Sequence, residues 1–278
     1  MSILENAAGL LGKVREQVPL VHNITNYVTV NDCANALLAI GASPIMADDI
    51  AEAADITSVS SALVLNMGTL NARTVESMLA AGKRANELRI PVVFDPVGAG
   101  ASALRNETAE RILSQVKIAV LRGNLSEISF AAGLEVSTRG VDSSEADNKN
   151  DAAAVGRRTA EKFHCVAAVT GAVDVITDGK RLVRIANGHK MLSRVTGTGC
   201  MTSAVTGAFA AAAAKKDKPD YLAAAAGSVA SMGIAGELAY ETAGKTGTGS
   251  FHIAVIDALS RLDPEIMREM GRFEEERD

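Results

Sequence analysis

The chain contains no tryptophan, and its aromatic residues together make up only 3% of 278. A core of this size must then be filled with alanine, valine, leucine and isoleucine, a composition suited to tightly packed α/β layers. Cysteine is scarce too: Cys33, Cys165 and Cys200 are odd in number and far apart, which indicates neither a disulfide framework nor a zinc ligand set and points to a reducing compartment. Positive charge is outnumbered, 28 Lys and Arg against 33 Asp and Glu for a net charge of −5, and no basic cluster interleaved with aromatics occurs. Nucleic acid is therefore not expected as the main partner, and anionic ligands must be met locally. The segment from Met1 to Gly12 has no basic region ahead of an apolar run, and no stretch reads as the roughly 20 apolar residues that span a bilayer. The expectation is a cytoplasmic protein with no membrane partner. Two nucleotide schemes are missing as well. No G-x-x-x-x-G-K-[ST] pattern exists, and the one prominent glycine-rich stretch lies too late in the chain for a dinucleotide fingerprint.

What is present is an alternation of short β-rich runs with helical patterns, read as one domain over residues 1–278. Residues 19–22, 43–46, 62–66, 91–95, 118–122 and 166–170 are predicted strands. Between them lie stretches such as Asn71 to Leu88, with Val75, Met78, Leu79 and Ala85 near helical spacing and Asn71 as N-cap. This order predicts a mostly parallel central sheet with helices on both faces. Polar and turn-forming residues gather just after the strands, at His22-Asn23, Asn66-Met67-Gly68, Asp95-Pro96-Val97-Gly98, Arg122-Gly123-Asn124 and Thr170-Gly171, the edge where open α/β sheets bind ligands. Residues 140–151 carry charge without periodicity and are predicted to form an exposed connection. Residues 173–187 read as a hairpin around Asp178-Gly179, and the chain after Cys200 as almost entirely helical.

The stretch Val195-Thr196-Gly197-Thr198-Gly199-Cys200 leads directly into one of those helices. The first amides of a helix have no intrahelical acceptor and the dipole adds partial positive charge, so the turn is a candidate anion hole. Cys200 would sit in that field, where a thiol pKa tends to fall; the alternative is a cysteine packed as a small hydrophobe. Asp95 is a candidate for holding magnesium, directly or through water, or else a turn cap. Arg122 offers a guanidinium for phosphate oxygens, and Glu127 is either a second carboxylate near the metal or a capping-box partner of Asn124. Thr170 can bond a phosphate, although Thr-Gly is also a commonplace turn. His22 reads as a hydrogen-bonded structural histidine, and Cys33 and Cys165 as core residues.

Taken in order, Pro19 to Asn26, Gly41 to Met46, Asn66 to Leu70, Phe94 to Gly100, Arg122 to Asn124 with Glu127, and Val195 to Cys200 closely resemble the motifs of the hydroxyethylthiazole kinases, a branch of the ribokinase-like superfamily. The resemblance implies a three-layer ribokinase-like fold. It also implies ATP-dependent phosphorylation of the alcohol of 4-methyl-5-(2-hydroxyethyl)thiazole, with Mg2+. Arg122 and Thr170 would then contact ATP, Asp95 and Glu127 would lie around the metal, and Met46 and Gly197 would contact the thiazole alcohol, with Asn26 and Gly68 lining its pocket. Cys200 stands where the wider superfamily carries an aspartate base. The family resemblance further implies a homotrimer with each site at a subunit boundary. Rival readings are an ATP-dependent dehydratase on the same scaffold and a sensor that binds without turnover.

Overall fold

The computed structural model describes residues 1–134, 145–214 and 218–276, and of 145–151 the backbone alone. Among the described residues nine strands form one sheet: β1 (Leu20–Ile24), β2 (Ser43–Met46), β3 (Ala62–Asn66), β4 (Val92–Asp95), β5 (Val120–Asn124), β6 (Val166–Thr170), β7 (Asp174–Thr177), β8 (Leu182–Ile185) and β9 (Phe273–Glu275). Their order is β2-β1-β3-β4-β5-β6-β7-β8-β9. The strands from β2 to β6 run parallel, and the β7–β8 hairpin and β9 continue the sheet antiparallel. The parallel part, the hairpin and the layering match the prediction, and the architecture is ribokinase-like.

Residues of a strand alternate between two cores, as the pleat requires. Ala62 and Val64 of β3 face a core shared with α1 (Ile3–Gln17), α2 (Val30–Ile40), α8 (Thr198–Ala214), α9 (Tyr221–Ala243) and α10 (Thr248–Arg261), with α11 (Pro264–Met270) at its margin. Leu63 and Leu65 face the other, built with α3 (Ala53–Val59), α4 (Ala72–Glu87), α5 (Ala103–Gln115), α6 (Leu125–Ala132) and α7 (Glu145–Phe163). The scarcity of aromatics has a packing reason. A Cβ on Gly207 of α8 would stand 2.6 Å from Val64 Cγ2, so the helix lies directly on the sheet where no larger residue fits.

Several expectations need correction. β1 and β5 extend two residues beyond the predicted His22 and Arg122, because neighbouring strands continue the ladder: Asn23 pairs with Val64, and Gly123 and Asn124 with Val169 and Thr170. Helix α7 already includes residues 145–151, assigned above to an exposed connection, while 140–144 lie outside the described residues. Strand β9 was missed, since three residues are too short for alternation to register. Among the described residues one helix, Tyr221–Ala243, is long and apolar enough to cross a bilayer, contrary to the reading that no segment is. It is instead the central helix of the larger core, with 89% of its apolar window buried.

Parallel strands with short connections bring the C-terminal ends of β1, β3, β4, β5 and β6 to one edge. The order of connections reverses at β1, between β2 and β3, and this opens a crevice there. The N-terminus of α8 reaches the same edge.

Candidate active site

The anion loop is shaped by sterics. Gly197 has φ +90°, and a Cβ there would approach Thr29 Cγ2 to 2.7 Å, so backbone conformation and space both require glycine. Helix α8 starts at Thr198, and its first intrahelical bond runs from the Met201 amide to the Gly197 carbonyl at 2.8 Å. Among the described residues the amides of Thr198, Gly199 and Cys200 have no acceptor. Three donors and the positive end of a 17-residue helix dipole therefore open onto the edge of the sheet.

Arg122 of β5 stands against this loop, its Nη1 3.5 Å from where a Cβ on Gly199 would be. The guanidinium is held from behind: Nη1 donates to Asp95 Oδ2 and to Ser203 Oγ, each at 3.3 Å. Its Nε is buried without a partner among the described residues. Asp95, at the end of β4 and 2% exposed, also accepts from Ser203 Oγ at 2.6 Å and Asn66 Nδ2 at 3.0 Å. Burial nevertheless pushes the Asp95 carboxyl up to about 6, outweighing Arg122 and the two hydrogen bonds. Asp95 is thus neither a turn cap nor a solvent-facing carboxylate. All its side-chain hydrogen bonds among the described residues converge on Oδ2.

Glu127 is the capping-box residue of α6: its Oε2 accepts from the Asn124 amide at 2.9 Å, and its Oε1 from the Gly98 amide at 2.8 Å. Its carboxylate clamps the loops after β4 and β5 together. Among the described residues no group of three or more His, Cys, Asp or Glu side chains is arranged to hold a metal ion. Asp95 Oδ1 accepts no hydrogen bond among the described residues, whereas both Glu127 carboxylate oxygens accept from backbone amides. Thr170, ending β6, donates to the Gly123 carbonyl at 3.2 Å and joins Arg122, Asp174, Asn187, Thr198 and Gly199 around a cleft of about 560 Å3. A larger cavity, about 830 Å3, opens at the opposite edge beside Asn86, Lys117 and His164. There α4, α5 and α7 end, and the start of α9 beside it carries its own anionic cap, Asp220, on the Ala223 amide at 3.3 Å, whereas the amides at the start of α8 stand open at the smaller cleft.

Cys200, in the first turn of α8, receives Asn66 Nδ2 at 3.4 Å and the more distant Asn26 Nδ2 at 3.9 Å. The expected fall in its pKa is not found. Burial raises the thiol, and the hydrogen bonds from Thr29 and Asn66 and the charge of Arg122 do not compensate. Gly68 is needed because Asn26 lies over it; a Cβ there would meet Asn26 Nδ2 at 2.3 Å. Met46 ends β2, is half-buried and packs against the core across from Asn23 of β1. Asn26, Gly68, Gly197 and Cys200 thus meet at the crevice, with Arg122, Asp95 and Thr170 on its far side. Asn66 and Ser203 were not singled out from the sequence. The only local signals were a polar strand end and a serine three residues, about one helical turn, after Cys200.

His22 is structural: fully buried, it bonds Ala47 O through Nε2 at 2.8 Å and Thr57 Oγ1 through Nδ1 at 2.9 Å, and burial lowers its pKa. Cys33 and Cys165 are buried free thiols pushed up to about 12 by burial.

Residues 11–265 match the model of the hydroxyethylthiazole kinase family. The chain belongs to this family. It is 65% identical over 267 residues to the hydroxyethylthiazole kinase of Ruminiclostridium cellulolyticum, covering 96% of each chain. To that of Methanocella arvoryzae it is 52% identical over 255 residues, covering 92% of each. The solved structure of the hydroxyethylthiazole kinase from Pyrococcus horikoshii superposes with a TM-score of 0.87 at 42% identity, over 98% of this chain and 99% of that one. A pyridoxal kinase from Staphylococcus aureus, TM-score 0.54 at 15% identity over 75% of this chain and 84% of that one, shares the fold alone. Membership makes the chain a kinase, and the activity of the hydroxyethylthiazole kinase family is ATP-dependent phosphorylation of the thiazole alcohol in thiamine salvage.

Proposed function

We propose that this chain transfers the terminal phosphoryl group of ATP to the primary alcohol of 4-methyl-5-(2-hydroxyethyl)thiazole at the α8 N-terminus, with Cys200 receiving the hydroxyl proton. The observation that carries this assignment is the meeting, at one helix start, of unpaired amides, the Arg122 guanidinium and the Cys200 sulfur. ATP lies in the cleft between Arg122, Thr170 and Gly199. The thiazole lies in the crevice near Met46, Asn26, Gly68 and Gly197, where a small neutral ring meets apolar walls and a few amides. The alcohol is then held between the sulfur and the phosphoryl group. Phosphoryl transfer through a loose transition state depends first on positioning and charge neutralisation and only second on a base. That order suits a buried thiol whose resting form is protonated. Arg122 and the amides of residues 198–200 neutralise the transferred group. Mg2+ would be held at Asp95 and Glu127 and would supply further neutralisation of phosphate charge.

The same reading makes the protein a cytoplasmic homotrimer with each site completed by a neighbour. Tyr27, Val28, Leu38 and Ile50, exposed by 54% or more on and beside the segment from His22 to Met46, support a subunit contact there. Light scattering after gel filtration checks the assembly. The activity is tested by ADP release with and without the thiazole alcohol. Release that requires the alcohol, with thiazole phosphate formed one for one, is expected; ADP without phosphorylated alcohol refutes the assignment.

A further inference from the structure

Asn66 terminates β3 at the centre of the site, is 2% exposed, and has an assignable amide orientation. Its Oδ1 accepts from the Gly68 amide at 2.9 Å, a group that can only donate. The oxygen is therefore fixed on that side, and both Nδ2 hydrogens must point the other way. One goes to Asp95 Oδ2 at 3.0 Å, the other to Cys200 Sγ at 3.4 Å. A sulfur facing a fixed N–H donor cannot direct its own hydrogen along that line. When the thiol is protonated its S–H must point elsewhere, and when it is ionised the donor stabilises the charge.

We propose that Asn66 is a positioning residue for phosphoryl transfer, a neutral bridge that turns a lone pair of Cys200 toward β3 and registers the sulfur against the Asp95–Arg122 pair. The bridge links the two halves of the site. Arg122 and Asp95 stand on the phosphate side, Cys200 stands on the alcohol side, and among the described residues Asn66 is the side chain bonded to both Asp95 and Cys200. An aspartate at this position would put a second carboxylate against Asp95, and an aliphatic residue would take one donor from each partner, leaving Asp95 with Arg122 and Ser203 and Cys200 with Asn26 and Thr29. The inference rests on the assignment of Cys200 as proton acceptor, and its test separates the two.

Single-turnover rates and thiazole-alcohol KM are measured for the intact enzyme, Asn66→Ala, Cys200→Ala and the double variant. Asn66→Ala is expected to slow the phosphoryl step by about 10- to 100-fold, the range for losing a bond to a charged or reacting group, with KM changed by less than about threefold. In the Cys200→Ala background the same change should cost less than about threefold, since the atom it positions is gone. Iodoacetamide labelling of Cys200 at fixed pH, read by peptide mass spectrometry, should slow by about five- to tenfold in Asn66→Ala, because the thiolate loses a donor. Asn66→Ser, whose hydroxyl can still accept from the Gly68 amide, provides the same comparison if the alanine variant does not fold. The inference is overturned if the Asn66→Ala effect is undiminished in the double variant, or if labelling is unchanged. If labelling slows but Cys200→Ala turns over at the full rate, the base assignment fails and the positioning role fails with it. If Cys200→Ala is slow while Asn66→Ala is not, only the positioning role is lost.

Discussion

Arg122→Ala separates a ligand-binding arginine from a structural one. The guanidinium is 8% exposed and tied to Asp95 and Ser203 through Nη1, yet its buried Nε has no partner among the described residues. If the remaining donors serve phosphate oxygens, their loss removes a charge-assisted contact of about 1.5–3 kcal/mol, a fall in kcat/KM for ATP of roughly 10- to 150-fold. The thiazole alcohol, placed beside Met46, Asn26 and Cys200, should lose less than about threefold in affinity. There is also a cost in stability, with a pH dependence. Asp95 titrates at about 6 even beside the guanidinium, above its ordinary 3.8, so its favourable contribution is complete below about pH 4 and declines as pH rises through 6. Without Arg122 the carboxyl moves further up and stays protonated at neutral pH. The variant then escapes the full cost of about 3–5 kcal/mol for stranding a buried charge and loses on the order of 1–3 kcal/mol. The assays are ADP release with each substrate varied in turn, and urea unfolding at pH 5 and pH 8, where the deficit should be larger at pH 8. Equal losses for ATP and alcohol would make Arg122 structural and refute the phosphate assignment.

Cys200→Ala should slow turnover but leave measurable activity, since base catalysis contributes typically about 10²–10⁴-fold and loose phosphoryl transfer needs less of it. Cys200→Asp should keep a working base and exceed Cys200→Ser, whose hydroxyl stays protonated. Full single-turnover rates in both the alanine and aspartate variants would make Cys200 a packing residue. Gly197→Ala meets Thr29 and a φ of +90°, and the combined cost of at least about 1–2 kcal/mol should appear as weaker binding of both substrates, checked by calorimetry. The rate should fall as pH drops through about 6, where Asp95 takes a proton and gives up its ion pair; in Asp95→Asn this acidic limb should vanish and half-maximal rate should need more Mg2+.

What could be read along the chain was whatever depends on residues a few positions apart. The alternation of β-rich runs and helical patterns, the Asn71 cap of α4 and the Asn124–Glu127 capping box are local hydrogen-bond and packing patterns, and all recur in the structure. The six motifs carried the family because their order and spacing are themselves linear information. Tertiary structure decided what depends on sums over distant elements. Asn66, Asp95, Arg122 and Ser203 come from β3, β4, β5 and α8, and only the stacking of parallel strands under a helix start makes them one network. The Cys200 thiol is raised rather than lowered because surrounding elements withdraw it from water, a desolvation invisible in its sequence neighbours from Val195 to Gly199. For the same reason an apolar 23-residue helix became a core element, and β1 and β5 outran their sequence signals: burial and ladder pairing are set by partners elsewhere in the chain.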